Sequence, residues 1–271
     1  MRKFVCAATA AITLTIPIPA AFAAPSPILS GDALTSPSRT QISFDNTITG
    51  FHTGTANEHE SRPALSLIKL YIAEYVVNHG DPGEIPTAQE MIRNSDDNLA
   101  SQFYSKYPQS VSVTATEFGL NETHAASHWG NSTTSSYDVN KYLVAKRQTD
   151  PNSPVLLAMT QMNPVAADGY HQDYGTATLP GVQGSKLGWS DDRSSVHASA
   201  SFGPGFVVSA NTYGTAEQHT QDVQQAFTTT PEMQDADSIA TGNASELLPE
   251  MPNLLDEFIR VFLPQPMPAN N

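Results

Sequence analysis

Residues 63–77 constrain the fold more than any other part of the chain. They read Pro63-Ala64-Leu65-Ser66-Leu67-Ile68-Lys69-Leu70-Tyr71-Ile72-Ala73-Glu74-Tyr75-Val76-Val77, apolar nearly all round at helical spacing. A helix without a polar face has to be enclosed by other elements. Pro63 suits the approach to its first turn, and His79-Gly80-Asp81-Pro82-Gly83 stops it. The fold must therefore supply layers around this helix.

The flanking segments provide them. Residues 24–40 are rich in Pro, Ser and Thr and read as a mobile leader. Residues 41–53 alternate apolar and polar (Ile42, Phe44, then Ile48, Phe51), which predicts one or two short strands. Beyond the buried helix, Thr87 and Glu90 read as a capping box for a helix carrying Met91 and Ile92. Helical patterns continue through 98–107, 111–118 and 136–145, and an apolar run over 155–162 stops at Pro164. The period then changes. Residues 182–190, 196–202 and 206–213 are short β-branched or alternating runs, separated by Asp191-Asp192 and Gly203-Pro204-Gly205. They predict three antiparallel strands on tight turns. A helix follows over 215–227 with Thr215 as N-cap. The order predicts one α+β domain over 41–227. Its antiparallel sheet is built from both chain ends, with flanking N- and C-terminal helices and a mostly helical subdomain.

Arg2 and Lys3, the uncharged run over 4–20 and Ala21-Phe22-Ala23 predict a secretory signal peptide over 1–23. Secreted, extracellular or cell-envelope residence is expected, with no stable membrane insertion after cleavage. Cys6 is the only cysteine, so the mature chain has no disulfide, thiol nucleophile or cysteine metal site. The formal charge of −14 falls to about −16 when Arg2 and Lys3 are removed. That balance argues against nucleic acid as a partner. Residues 228–246 read as an acidic linker, and 247–271 as a tail with a short amphipathic helix over 254–263 that docks on the domain or on a protein partner, or stays a loose tail.

Ser66-Leu67-Ile68-Lys69 carries the chemistry, and it is the chain's only Ser-x-x-Lys. One helical turn sets serine and lysine on the same face. Burial lowers a lysine's pKa, so a neutral amine can take the serine proton. The helix N-terminus favours a developing oxyanion. Ser95-Asp96-Asp97 follows within Met91-Ile92-Arg93-Asn94-Ser95-Asp96-Asp97, and Gly184-Ser185-Lys186-Leu187-Gly188-Trp189 lies on the first late strand. The order S-x-x-K, S-D-N, K-T-G resembles the serine β-lactamases and penicillin-binding proteins. Gly119-Leu120-Asn121-Glu122-Thr123 is similar to their G-L-x-x-T stretch, and Thr133-Thr134-Ser135-Ser136-Tyr137-Asp138 to the helix entry beyond it. The resemblance covers about residues 41–227 and implies a β-lactamase/transpeptidase-like fold.

Carried over residue by residue, the resemblance makes Ser66 the acylated nucleophile and Lys69 its general base. Ser95 relays a proton to the leaving group, and Lys186 places positive charge beside Ser95. The N–H groups of Ser66 and Trp189 form the oxyanion hole, so Gly188 and Trp189 lie against the substrate. Asp97 stands at the substrate-facing S-D-N position, and residues 168–175 resemble a loop rimming the cleft, from which Tyr170 or Gln172 is expected to face the substrate. Asp97 replaces an Asn whose amide would donate, Leu187 replaces a hydroxyl, and only 29 positions separate Ser66 from Ser95. Between Leu120 and Thr133, where the class A enzymes place a water-activating Glu, the only carboxylate is Glu122. The expected function is a serine hydrolase acting on D-alanyl cell-wall peptides or related amides and esters, with a peptidoglycan peptide or β-lactam-like molecule as ligand. The alternative is a catalytically inactive envelope protein that binds peptidoglycan or a protein partner in the same cleft. His124 and His128 lack a third ligand nearby, and no metal or cofactor is expected.

Overall fold

The computed structural model describes residues 24–228. The predicted signal peptide, the acidic linker beyond Thr228 and the tail with its amphipathic helix lie outside the described residues. The chain runs β1 (Ser26–Pro27), β2 (Leu29–Ser30), β3 (Ala33–Leu34), β4 (Thr40–Asn46), β5 (His52–Gly54), β6 (Arg62–Pro63), α1 (Ile68–His79), α2 (Ile85–Asn94), α3 (Asp97–Lys106), α4 (Ser110–Phe118), β7 (Thr133–Thr134), α5 (Ser136–Thr149), α6 (Pro154–Thr160), β8 (Gly184–Trp189), β9 (Val196–Gly203), β10 (Phe206–Tyr213), α7 (Ala216–Gln225) and β11 (Phe227–Thr228). This is an α+β fold.

Five strands form one antiparallel sheet in the order β5-β4-β10-β9-β8. The first long strand lies beside the last, with Ile42 opposite Ala210 and Phe44 opposite Val208, so both ends of the domain build the sheet. Side chains alternate across β10. Val207 joins the core around α1, whereas Phe206, Val208 and Ala210 pack with Val223 and Phe227 on the other face. Both faces are covered. The strand β8 is left at one edge, and there it meets the start of α1.

The helix α1 is enclosed as its composition requires: Ile68, Leu70, Tyr71, Ile72, Ala73 and Val76 are all buried. Its acidic residue Glu74 is buried too and has specific partners. Lys146 Nζ of α5 lies 2.9 Å away, and the Tyr142 hydroxyl and Asn78 amide donate to it. A buried carboxylate persists when it is paired and hydrogen-bonded in this way.

Two local expectations differ from the structure. The capping box ahead of Met91 is made by Asp81 and Glu84, six residues upstream of the Thr87–Glu90 pair, with Pro82 at the first helical position. Residues 24–40, expected as a mobile leader, make short pairings. Ser26 and Pro27 lie opposite Thr228 and Phe227, β2 pairs with β3, and Leu34 is buried. The partner strand sits at the far end of the domain, where local composition carries no trace of it.

Candidate active site

The Ser-x-x-Lys segment begins in a 3-10 turn, Leu65–Leu67, which runs directly into α1. Leu65 adopts φ 51°, a left-handed conformation that a non-glycine residue holds only when its surroundings fix it. Packing against β8 supplies that restraint. A Cβ on Gly188 would stand 2.7 Å from Ser66 N and 2.8 Å from Leu65 Cβ, so only glycine lets the strand approach so closely. The next ladder contact is Ser190 N–H donating to the Val196 carbonyl at 3.0 Å. Antiparallel ladders alternate, so the Trp189 N–H faces the open edge of β8, where Ser66 lies. Two backbone donors thus border one cleft.

Ser95 ends α2 in a left-handed conformation, φ 50° and ψ 39°, with its N–H closing back on the Ile92 carbonyl. Asp96 caps α3 by accepting from the N–H groups of Asn98 and Leu99. The two helices therefore meet at a two-residue turn, Ser95-Asp96, that aims Ser95 and Asp97 at α1. Loop 163–172 is tied to the end of α2: Asn163 N–H donates to Arg93 O, Ala167 N–H to Asn94 O, and the Gln172 amide to Arg93 O. These bonds satisfy carbonyls that a helix C-terminus leaves open, and they place Asp168 at the cleft.

The four polar side chains of the three motifs converge. Lys69 Nζ lies 2.7 Å from Ser66 Oγ, donates to the Ser95 carbonyl at 3.0 Å and to Asp97 Oδ1 at 2.5 Å, and stands 3.5 Å from Ser95 Oγ. Lys186 Nζ donates to Ser95 Oγ at 2.8 Å and to the Leu187 carbonyl at 2.6 Å. Both lysines are fully buried. Burial pulls the Lys69 ammonium below its ordinary range against the opposing charge of Asp97. Burial and then the nearby Lys69 push Lys186 well below its own. If Lys69 is neutral, hydrogen bonds to Ser95 O and Asp97 use its two N–H groups and leave its lone pair for the Ser66 hydroxyl.

The cleft encloses about 320 Å³ and is lined by Leu65, Ser66, Asp97, Trp129, Asp168, Trp189, Asp191 and Arg193, among others. Asp97, and not Asn98, lines the cleft. Gly188 fixes the close approach of β8, and Leu187 has its side chain buried. Tyr170 is placed behind the cleft wall. Its ring stacks on Trp189 at 4.8 Å and its hydroxyl lies 2.8 Å from His197 Nε2, so it braces Trp189. Glu122 lies away from the cleft, with its carboxylate 3.5 Å from His59. Its N–H and the Thr123 hydroxyl both donate to Asp138, which clamps the loop to α5. Burial raises Asp138 to about 7.

Sequence reasoning missed three participants. Trp129 belongs to none of the three motifs, yet its ring centroid lies 4.6 Å from Lys69 Nζ. Asp168 accepts from Trp189 Nε1 at 3.0 Å, and Arg193 donates to its backbone carbonyl. The turn signal at Asp191-Asp192 and the polar loop at Asp168 mark these places without showing that they meet. Among the described residues, no group of three His, Asp or Glu side chains is placed to hold a metal ion.

No family model matches the sequence, and no curated protein matches it. Solved structures do. A β-lactamase from a halotolerant bacterium is 10% identical, with 69% of this chain and 92% of that one covered at a TM-score of 0.55. The β-lactamase of Streptomyces albus G is 14% identical over 68% of this chain and 91% of that one, at 0.53. The D-alanyl-D-alanine carboxypeptidase of Mycobacterium tuberculosis is 16% identical over 70% and 87%, at 0.50. The chain therefore has the β-lactamase/transpeptidase-like fold that its motifs predict.

Proposed function

We propose that the protein is a secreted serine hydrolase that forms an acyl-enzyme at Ser66. One observation carries the reading: a buried lysine with a depressed pKa stands 2.7 Å from the hydroxyl of a serine at a helix N-terminus. Burying a lysine with no catalytic or structural return is costly, and here its lone pair has one productive target.

The steps follow from the contacts. Neutral Lys69 takes the Ser66 proton as Oγ attacks a carbonyl whose oxygen lies between the Ser66 and Trp189 N–H groups. Negative charge develops there beside the start of α1, and preorganised donors of this kind contribute about 3–4 kcal/mol each. Ser95, with its Oγ held by Lys186, stands next to Lys69 and passes the proton to the leaving group. Release of the amine or alcohol leaves the acyl group on Ser66. The default substrate class is a D-alanyl cell-wall peptide or a related amide or ester, an assignment supported by the shared fold with a D-alanyl-D-alanine carboxypeptidase. The predicted signal peptide supports an extracellular or envelope setting. Among the described residues no helix is long and apolar enough to cross a membrane.

The test is intact-protein mass spectrometry after incubation with a reactive β-lactam, beside Ser66→Ala. A stoichiometric mass gain in the wild type that Ser66→Ala abolishes is expected. No gain with the β-lactam or with a serine-reactive phosphonate, on folded protein, would leave Ser66 inert and sink the proposal.

A further inference from the structure

Hydrolysis needs a base for its second step as well as its first. Once Ser66 is acylated, water must lose a proton as it attacks the ester, and the group that takes it has to border the cleft with a free acceptor atom. The carboxylates lining the cleft are Asp97, Asp168 and Asp191. Asp168 is committed: Oδ1 accepts the Tyr170 N–H at 2.9 Å, and Oδ2 accepts Trp189 Nε1 at 3.0 Å with Arg193 3.5 Å away. Asp191 sits on the turn after β8, and among the described residues no hydrogen bond or ion pair joins it to Ser66 or Lys69. His197 shares its two ring nitrogens with Tyr170 and the Gly214 carbonyl. Glu122 is outside the cleft, against His59.

Among the carboxylates and histidines weighed, Asp97 remains, and its geometry is distinctive. Oδ1 is bonded to Lys69 Nζ at 2.5 Å, the same nitrogen that stands 2.7 Å from Ser66 Oγ. Ser66 Oγ and the Asp97 carboxylate are thus two hydrogen bonds apart, a span that one water molecule bridges. Oδ2 has no hydrogen-bond partner among the described residues, and the side chain is 64% exposed, open to the cleft. The carboxylate that costs the site an amide donor provides an acceptor in its place.

We propose that Asp97 is the general base of deacylation, a role that rests on the acylation of Ser66 proposed above. Asp97 takes one proton from a water whose oxygen attacks the acyl carbonyl. The tetrahedral intermediate collapses with cleavage of the bond to Ser66 Oγ. The proton returns along the chain Asp97, Lys69, Ser66, which regenerates the serine hydroxyl and the neutral amine. Water and acyl-serine give serine and a carboxylic acid, with no other reactant.

The experiment times the acyl-adduct by intact mass after rapid removal of excess β-lactam, in the wild type, Asp97→Asn and Asp97→Glu. Asparagine is isosteric and cannot accept the proton, so Asp97→Asn is expected to acylate and then to lose its adduct about 10²–10⁴-fold more slowly. Asp97→Glu keeps a carboxylate and is expected to recover part of that loss, which a purely structural role would not predict. Equal adduct lifetimes in the wild type and Asp97→Asn would overturn the proposal. So would an Asp97→Asn protein that fails to acylate where the wild type succeeds, because Asp97 would then act before the acyl-enzyme. An adduct on neither protein would overturn the acylation of Ser66 and this inference with it.

Discussion

Gly188→Ala tests whether the close approach of β8 to the catalytic turn is what makes an oxyanion site. The added Cβ would lie 2.7 Å from Ser66 N, roughly 0.8 Å short of the ~3.5 Å at which nonbonded atoms pack best. It would also meet Leu65 Cβ at 2.8 Å, so neither neighbour is the far end of a flexible chain. The strand and the turn must part. Overpacking of this kind costs about 1–3 kcal/mol of stability. The same displacement moves the Ser66 N–H relative to that of Trp189, and losing one oxyanion donor costs about 10²–10³ in rate. A control separates the two effects. Gly184→Ala overpacks the other end of β8, where its Cβ would meet the Phe202 ring at 2.5 Å, away from the catalytic turn. Single-turnover acylation by a reactive β-lactam, with a denaturant melt on each variant, gives both numbers. Gly188→Ala should lose about two orders of magnitude in acylation, whereas Gly184→Ala should lose stability alone. A folded Gly188→Ala that acylates at the wild-type rate would refute the oxyanion assignment.

Lys146→Met strands the buried Glu74 carboxylate and should cost about 3–5 kcal/mol in urea unfolding; Glu74→Gln in the same chain should restore much of it, and an unchanged midpoint would count against the pairing. His219 is buried between Ser199 and Thr212, and burial lowers it from 6.5 to about 3. Its folded pKa lies below its unfolded one, so its contribution is constant above pH 6.5. Below that pH the unfolded chain alone takes the proton, and stability falls by up to about 1.4 kcal/mol per pH unit until pH approaches 3. His219→Gln should flatten that slope in denaturant titrations from pH 7 to 4, and an unchanged slope would assign the acid loss to other groups. Lys69 must be neutral to act, so the acid limb of the acylation profile should lie below the ordinary lysine range. Asp97→Asn removes the opposing charge and should move the limb lower still; a limb that moves up would contradict the assignment of Lys69 as base.

What the sequence reveals here follows how far apart the partners lie along the chain. Ser66 and Lys69 are legible as a pair because one helical turn joins them. The enclosed α1 and the three late strands are legible for the same reason, since their periods are local. Ser95 and Lys186 stand far along the chain from Ser66 and enter only through resemblance to a family. Nothing in their surroundings announces the left-handed turn at Ser95 or the hydrogen bond that joins them. The Glu74–Lys146 pair, the His219 network and the β1–β11 pairing leave no local pattern at all.

Asp97 shows why a motif departure needs its three-dimensional neighbours before it is read as a loss. By family pattern, replacing the Asn amide removes a donor to the substrate, and the sequence supports no more than that. In the structure the new carboxylate is bonded to Lys69 and keeps one oxygen open to the cleft. Such a group has two opposing effects on one reaction. It holds the proton on Lys69 more firmly, which slows attack by Ser66, and it offers a proton acceptor that speeds release of the acyl group. Separate acylation and deacylation rates for Asp97→Asn distinguish them, because the first effect predicts faster acylation and the second a longer-lived adduct. A change in a single overall turnover number would merge the two.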